Sequence, residues 1–139
     1  MTLELHATPQ EVMRAVEALQ EFGEARQVPE KALFGLTLAL EECASNIVNH
    51  ALRGDAGKKF VVRIEKTPKA ITLEFRDPGP AFDPTQAKAR AKLVTDDQPG
   101  GWGLQLVRRY IDEIRYSREA DENVLHLTKR VNESPSEMI

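Results

Sequence analysis

The sequence predicts an α+β two-layer sandwich, with helices packed on one face of a mostly antiparallel sheet. Three observations predict it. Two long segments with apolar residues at helical spacing stand back to back near the N-terminus. Two short alternating segments follow, joined by the link Thr67-Pro68-Lys69. One more helical segment then runs into two further strand-like segments. The resulting order is β-α-α-β-β-(loop)-α-β-β.

Thr2–His6 alternates and reads as a short strand. Thr8-Pro9-Gln10-Glu11 is a helix start, with Thr8 as N-cap, Pro9 in the first position and Glu11 completing a capping box. Val12, Ala15, Val16, Leu19 and Phe22 carry that helix to about Ala25. Pro29 opens a second helix, reaching about Leu52, and Gly54 and Gly57 break it. Residues 60–66 and 70–77 form a hairpin of strands. In the second strand Ile71, Leu73 and Phe75 face one way, and Thr72, Glu74 and Arg76 the other. From Pro78 to Gly103 the periodicity fades, apart from a short helix expected near 85–93. Structureless segments this long in compact domains tend to be functional, which makes 80–100 a candidate lid. Leu104, Val107 and Ile111 mark a helix over 104–112, followed by strands near 114–118 and 123–131. Residues 1–131 are thus expected to form one domain, and the polar residues 132–139 a frayed tail.

Composition removes several classes of function. Hydrophobic residues make up 41% and charged residues 29%, as in soluble globular domains. No apolar run approaches the ~18 residues of a membrane span, and no basic stretch followed by an apolar one opens the chain. A single cysteine, Cys43, forms no internal disulfide, and a cytoplasmic setting is expected. The formal charge is 19 − 22 = −3, which argues against direct nucleic-acid binding.

The second helix carries the first chemical signal. At ~100° per residue, Leu36, Leu40, Ala44, Ile47 and Ala51 share one side, while Glu42, Asn46 and Asn49 gather opposite. Glu42 and Asn46 are one turn apart and reach toward one point. A carboxylate can take a proton from a hydroxyl, and an amide oxygen suits Mg²⁺. The second signal is Asp77-Pro78-Gly79-Pro80-Ala81-Phe82-Asp83, directly after a strand. The third is Gly100-Gly101-Trp102-Gly103-Leu104 at a helix start, where backbone N–H groups and the helix dipole favour phosphate. Each also has a plainer use: a solvated helix face, a strand-ending turn, a linker.

In this order and spacing the three motifs resemble the GHKL ATPase and kinase superfamily, over nearly the whole chain. Glu42-Cys-Ala-Ser-Asn46-Ile-Val-Asn-His50 resembles its N-box, and Asp77-Pro-Gly79-Pro-Ala-Phe82-Asp its first glycine box. Gly101-Trp-Gly103-Leu104-Gln-Leu-Val-Arg-Arg resembles its second box. The form of these boxes is that of the anti-sigma-factor serine/threonine kinase branch. The resemblance implies ATP and Mg²⁺ as cofactors, Asn46 as the metal ligand and Glu42 as the general base on the attacking hydroxyl. It also implies that Asp77 reads the adenine amine, that Gly79 lets adenine approach the backbone, and that Phe82 belongs to the same box. Gly101 and Gly103 would form the lid hinge and phosphate cradle, and Leu104 would belong to the same nucleotide site. The implied partners are a STAS-type anti-sigma-factor antagonist, as substrate, and a sigma factor, with a homodimer as the possible assembly. A nucleotide-dependent binding switch with little kinase activity is the alternative. Ala81 stands where many members of the superfamily carry a second glycine. Asp97-Gln98-Pro99 precede the second box without a cation, leaving Lys88, Arg90 or Lys92 to contact the terminal phosphate.

Overall fold

The computed structural model describes residues 1–85 and 99–131, with the side chains of all of these except residues 99–103. The elements follow the expected order: β1 (Thr2–His6), α1 (Pro9–Ala25), α2 (Glu30–Asn46), a π-helical turn (Ile47–Ala51), β2 (Lys59–Lys66), β3 (Ala70–Asp77), α3 (Pro99–Tyr110), β4 (Glu113–Glu119) and β5 (Glu122–Arg130). The short helix expected near 85–93, most of the candidate lid with Lys88, Arg90 and Lys92, and the tail 132–139 lie outside the described residues.

Thr8 caps α1 as its sequence predicts: its Oγ1 accepts from the Glu11 N–H at 3.2 Å. The reciprocal half of the capping box is displaced by two residues. Glu11 Oε1 accepts from the His6 N–H at 3.0 Å, because the Thr8 N–H is already bonded to the His6 carbonyl at 2.8 Å. Glu11 thereby ties the end of β1 to the first turn of α1, with Arg14 bridging on its outer side at 2.7 Å. The second helix departs from its expected form at its C-terminal end. The α-helical pattern stops at Asn46, and Ile47–Ala51 form a wider turn in which the Leu52 N–H bonds the Ile47 carbonyl at 2.8 Å. The third helix begins at Pro99 rather than Leu104, so Gly100, Gly101 and Gly103 lie in its opening turns instead of in a loop ahead of it. Proline suits that first position because its missing N–H would have no partner there.

The five strands form one sheet in the order β1-β2-β3-β5-β4, every neighbouring pair antiparallel. Strand β5 sits between β3 and β4, so the chain crosses from β3 through α3 to the sheet edge and folds back by the tight turn at Ala120-Asp121. The period-2 alternation fixes which face is buried. Phe60, Val62 and Ile64 of β2, Ile71, Leu73 and Phe75 of β3, and Leu125 and Leu127 of β5 all lie on the helix side. Fully burying one such side chain is worth about 1.5–3 kcal/mol, so a one-residue slip in register would be very costly. The opposite face carries ion pairs instead, such as Arg76 with Glu74, Glu119 and Glu122. Among the described residues no helix is long and apolar enough to cross a membrane.

Helix α2 lies between α1 and α3, setting Leu33 against Gly23 of α1 and Gly35 against Tyr110 of α3. At Gly35 a Cβ would sit 2.8 Å from the Cβ of Tyr110 on α3, closer than real side chains approach. That close crossing seats α3 against the helix that carries Glu42 and Asn46. Its neighbour Phe34 is 59% exposed and meets Tyr110 edge-on, with ring centroids 5.8 Å apart. Gly35→Val is therefore expected to destabilise the protein by about 2 kcal/mol or more through overpacking, measured by chemical denaturation. Unchanged stability would mean that α2 and α3 do not cross this closely.

Candidate active site

The buried face of the sheet is apolar until its last register position, where Asp77 of β3 stands opposite Asn123 of β5. These two residues are only 4% and 5% exposed, the two buried polar residues among those described. Burying a carboxylate without donors would be severely unfavourable, and the surroundings supply them. Asp77 Oδ1 accepts from the Gly79 N–H at 2.8 Å and from Asn123 Nδ2 at 3.1 Å. The second oxygen, Oδ2, has no partner among the described residues. Burial nonetheless pushes the Asp77 carboxyl above its ordinary range, with the Asn123 and Gly79 hydrogen bonds and the Arg118 charge opposing the shift.

Asn123 holds the whole turn after β3. Its Nδ2 also donates to the Pro80 carbonyl at 2.9 Å, and its Oδ1 accepts from the Phe82 N–H at 3.1 Å. The Tyr116 hydroxyl and Arg118 Nη1 donate to the same Oδ1, and Arg118 reaches the Gly79 carbonyl at 2.8 Å. Further along, Asp83 Oδ1 accepts from both the N–H and the hydroxyl of Thr85, and Arg108 of α3 donates to the Thr85 carbonyl at 2.9 Å. The first glycine-box segment is thus fastened by β4, β5 and α3 together.

A cavity of about 330 Å³ opens beside this turn, within the usual range for small-molecule sites. Asp77, Pro80, Ala81, Phe82 and Pro84 line one side. Cys43, Asn46, Ile47, His50, Ala51 and Arg53 contribute from the end of α2 and the π-helical turn. Leu104 of α3 and Tyr116, Asn123 and Leu125 of the sheet complete it. His50 follows Asn46 by one turn and reaches the cavity wall with it.

The structure brings Asn46, Asp77, Phe82 and Leu104 together around one cavity. Glu42 is not among the residues lining it. It sits one turn before Asn46, partly buried, and burial together with the neighbouring Glu41 charge pushes its carboxyl up. Gly79 also stands outside the lining. A Cβ there would lie 2.8 Å from the Ala51 carbonyl oxygen and 2.9 Å from Asp77 Oδ1. Its smallness thus serves the contact between the turn after β3 and the end of the π-helical turn. Gly101 and Gly103 lie in the first turns of α3, whose Leu104 is fully buried. Asn123, Arg118 and Arg53 were not singled out from the sequence. For Asn123 the signal was present: it shares the inward phase of Leu125 and Leu127, and an inward amide needs partners.

The donor set fits magnesium nucleotide. The Asn46 amide supplies a hard oxygen, and among the described residues no group of three or more His, Cys, Asp or Glu forms a metal cage. A metal here would be held largely by phosphate and water, as Mg²⁺ usually is.

Residues 5–129 match the histidine kinase-like ATPase domain family. The chain is 33% identical to the serine/threonine-protein kinase BtrW of Bordetella bronchiseptica over 129 residues, covering 91% of each chain. It is 24% identical to the serine-protein kinase RsbW of Listeria innocua, covering 99% of this chain and 90% of that one. A chain of the SiaB–SiaC complex from Pseudomonas aeruginosa shares the fold, with a TM-score of 0.68 at 14% identity over 94% of this chain and 88% of that one. The chain belongs to the histidine kinase-like ATPase domain family, in its serine/threonine-protein kinase branch.

Proposed function

We propose that this protein is an ATP-dependent serine/threonine protein kinase that phosphorylates a STAS-type anti-sigma-factor antagonist and, in the alternative complex, holds a sigma factor. The observation that carries the reading is a buried carboxylate with one uncommitted oxygen, in a largely apolar cavity that also holds the Asn46 amide. An apolar slot with one fixed acceptor suits adenine, whose exocyclic amine donates to it. The likeness to BtrW, a named serine/threonine kinase, supports the reaction class.

In this reading Asp77 Oδ2 accepts from the adenine amine while Oδ1 stays tied to Gly79 and Asn123. Phe82 and Leu104 cover the base. The Asn46 oxygen would hold Mg²⁺, which would supply charge neutralisation along the phosphates. Gly101, in the first turn of α3, presents its backbone N–H to those phosphates, and Gly103 a little further on keeps side-chain bulk out of their approach. Glu42 takes the proton from the partner's hydroxyl as its oxygen attacks the terminal phosphorus and the bond to the leaving diphosphate breaks. A carboxyl raised toward neutrality is a stronger base at working pH than an ordinary one. The direct test is transfer of labelled terminal phosphate from ATP to a STAS-domain protein. A protein that binds ATP but labels no such partner would refute the substrate assignment.

Three outcomes follow from the residue roles. Glu42→Gln is expected to lower transfer by about 10²–10⁴-fold with ATP binding retained, and the wild-type rate should fall as pH drops through the raised pKa of Glu42. Full transfer by the variant would remove Glu42 from the chemistry. Asn46→Ala is expected to weaken magnesium-ATP far more than metal-free ATP; equal losses with magnesium and with a chelator would make Asn46 a packing residue.

The third concerns acid pH. The folded-state pKa of Asp77 is raised, so its burial favours folding below the unfolded pKa, and that contribution is lost as pH rises through the folded value. Nucleotide binding needs the ionised form and runs the other way. Affinity should fall as pH drops through the raised pKa, with a slope approaching about one decade per unit. Asp77→Asn should lower affinity about tenfold to a hundredfold at neutral pH and abolish that acid dependence. An acid limb that survives in the variant would belong to another group.

A further inference from the structure

Four non-glycine residues have left-handed backbone among those described: Gln27, Arg53, Ala120 and Asp121. Gln27, Ala120 and Asp121 lie in tight turns that line no part of the cavity. Arg53, with φ of 52°, lines it. The chain ends the π-helical turn there, with the Gly54 N–H bonded to the Val48 carbonyl at 2.7 Å and Gly54 itself at φ of 70°. Helix exits of this kind normally place glycine or asparagine in the left-handed position, because a longer side chain is strained there. A strained residue held at a cavity points to use.

The surroundings define that use. Arg53 is exposed, and its guanidinium makes no ion pair or hydrogen bond among the described residues. The Ala51–Gly79 contact holds this end of the turn against the Asp77–Gly79 segment, so Arg53 stands at the Asp77 end of the cavity. Asp77 makes no ion pair with it; the cation beside that carboxyl is Arg118, whose Nη1 also donates to the Gly79 carbonyl. A planar cation at the mouth of an apolar slot floored by one carboxylate complements a flat heterocycle bearing an amine. A guanidinium stacks on such a ring through its face.

We infer that Arg53 is a base-recognition residue, whose guanidinium covers the open face of the purine ring while Asp77 reads its amine. This rests on the nucleotide reading of the cavity and adds to it the residue that closes the base end. Arg53 trades fold stability for affinity.

The test measures stability and affinity side by side in wild type, Arg53→Asn and Arg53→Lys. Asparagine accepts left-handed backbone and lacks the guanidinium. Arg53→Asn should melt higher by about 2–4 °C and bind ATP about three- to thirtyfold more weakly. Arg53→Lys keeps the charge and the strain but loses the plane; it should melt like wild type and bind with intermediate affinity. The loss in Arg53→Asn should be the same factor for AMP, ADP and ATP, because the contact is to the base. A loss that grows with each phosphate would put the guanidinium on the phosphates and overturn the assignment. So would unchanged affinity in Arg53→Asn, or weaker binding accompanied by a lower melting temperature. Wild-type protein that binds no adenine nucleotide would overturn the nucleotide reading and this inference together.

Discussion

A carboxylate at the end of a buried strand must be supplied with hydrogen-bond donors, and much of the architecture around the cavity supplies them to Asp77. Strand β3 is apolar on its inward phase at Ile71, Leu73 and Phe75, and the next inward position is an acid. Antiparallel pairing then decides what faces it. With β5 rather than β4 beside β3, the residue opposite Asp77 is Asn123. An amide suits that place because it donates to the carboxylate from one end and accepts from the following turn at the other. Tyr116 and Arg118 of β4 complete its acceptor side. Removing Asn123 would leave both the acid and the turn without these partners, so the two edges of the site are coupled through one side chain.

The second constraint comes from the helix side. Gly79 admits the Ala51 carbonyl to within a distance no side chain allows, and Ala51 is the last residue of the π-helical turn. The turn brings Ile47, His50 and Ala51 to the cavity beside Asn46, one helical face presented to the ligand space. The cavity wall thus holds the π turn and one of the four left-handed non-glycine residues, Arg53, while the other three lie in turns away from it.

The fold was legible because two periodicities write it directly. Period 2 in Ala70–Asp77 gave both that strand's limits and its buried face, and Thr8-Pro9 gave the start of α1. Boundaries failed where local chemistry competes with periodicity. The glycines of 100–103 read as a loop because glycine is a poor helix former, yet Pro99 starts the helix ahead of them. Asn46, Asp77, Phe82 and Leu104 were found through motif order, and the structure sets them around one cavity. Asn123 and Arg53 were missed for different reasons. The phase of Asn123 was readable, but its partner depends on strand order, which no local pattern states. Arg53 stands out only through a backbone angle and a cavity, neither of which a side-chain pattern records.

The sequence of sites along α2 bears on why Glu42 stands apart from the cavity lining. Arg53 and Ala51 meet the Asp77 end, Asn46 lies further back along the helix, and Glu42 one turn beyond, about 5.4 Å along its axis. Adenosine triphosphate has the same linear order, from base through phosphates to the atom that is attacked. A base group that lined the adenine slot would be too far from the terminal phosphorus to serve it. In the proposed function, a carboxylate a turn beyond Asn46 is where an incoming hydroxyl would meet the phosphate chain. Glu42 has no hydrogen-bond partner among the described residues, and its carboxyl is held up by burial. In the proposed reading its proton would come from the hydroxyl of a second protein. On the proposed function, binding and transfer would be divided along one helix: variants at its C-terminal end should act first on nucleotide affinity, and variants at Glu42 on the chemical step alone.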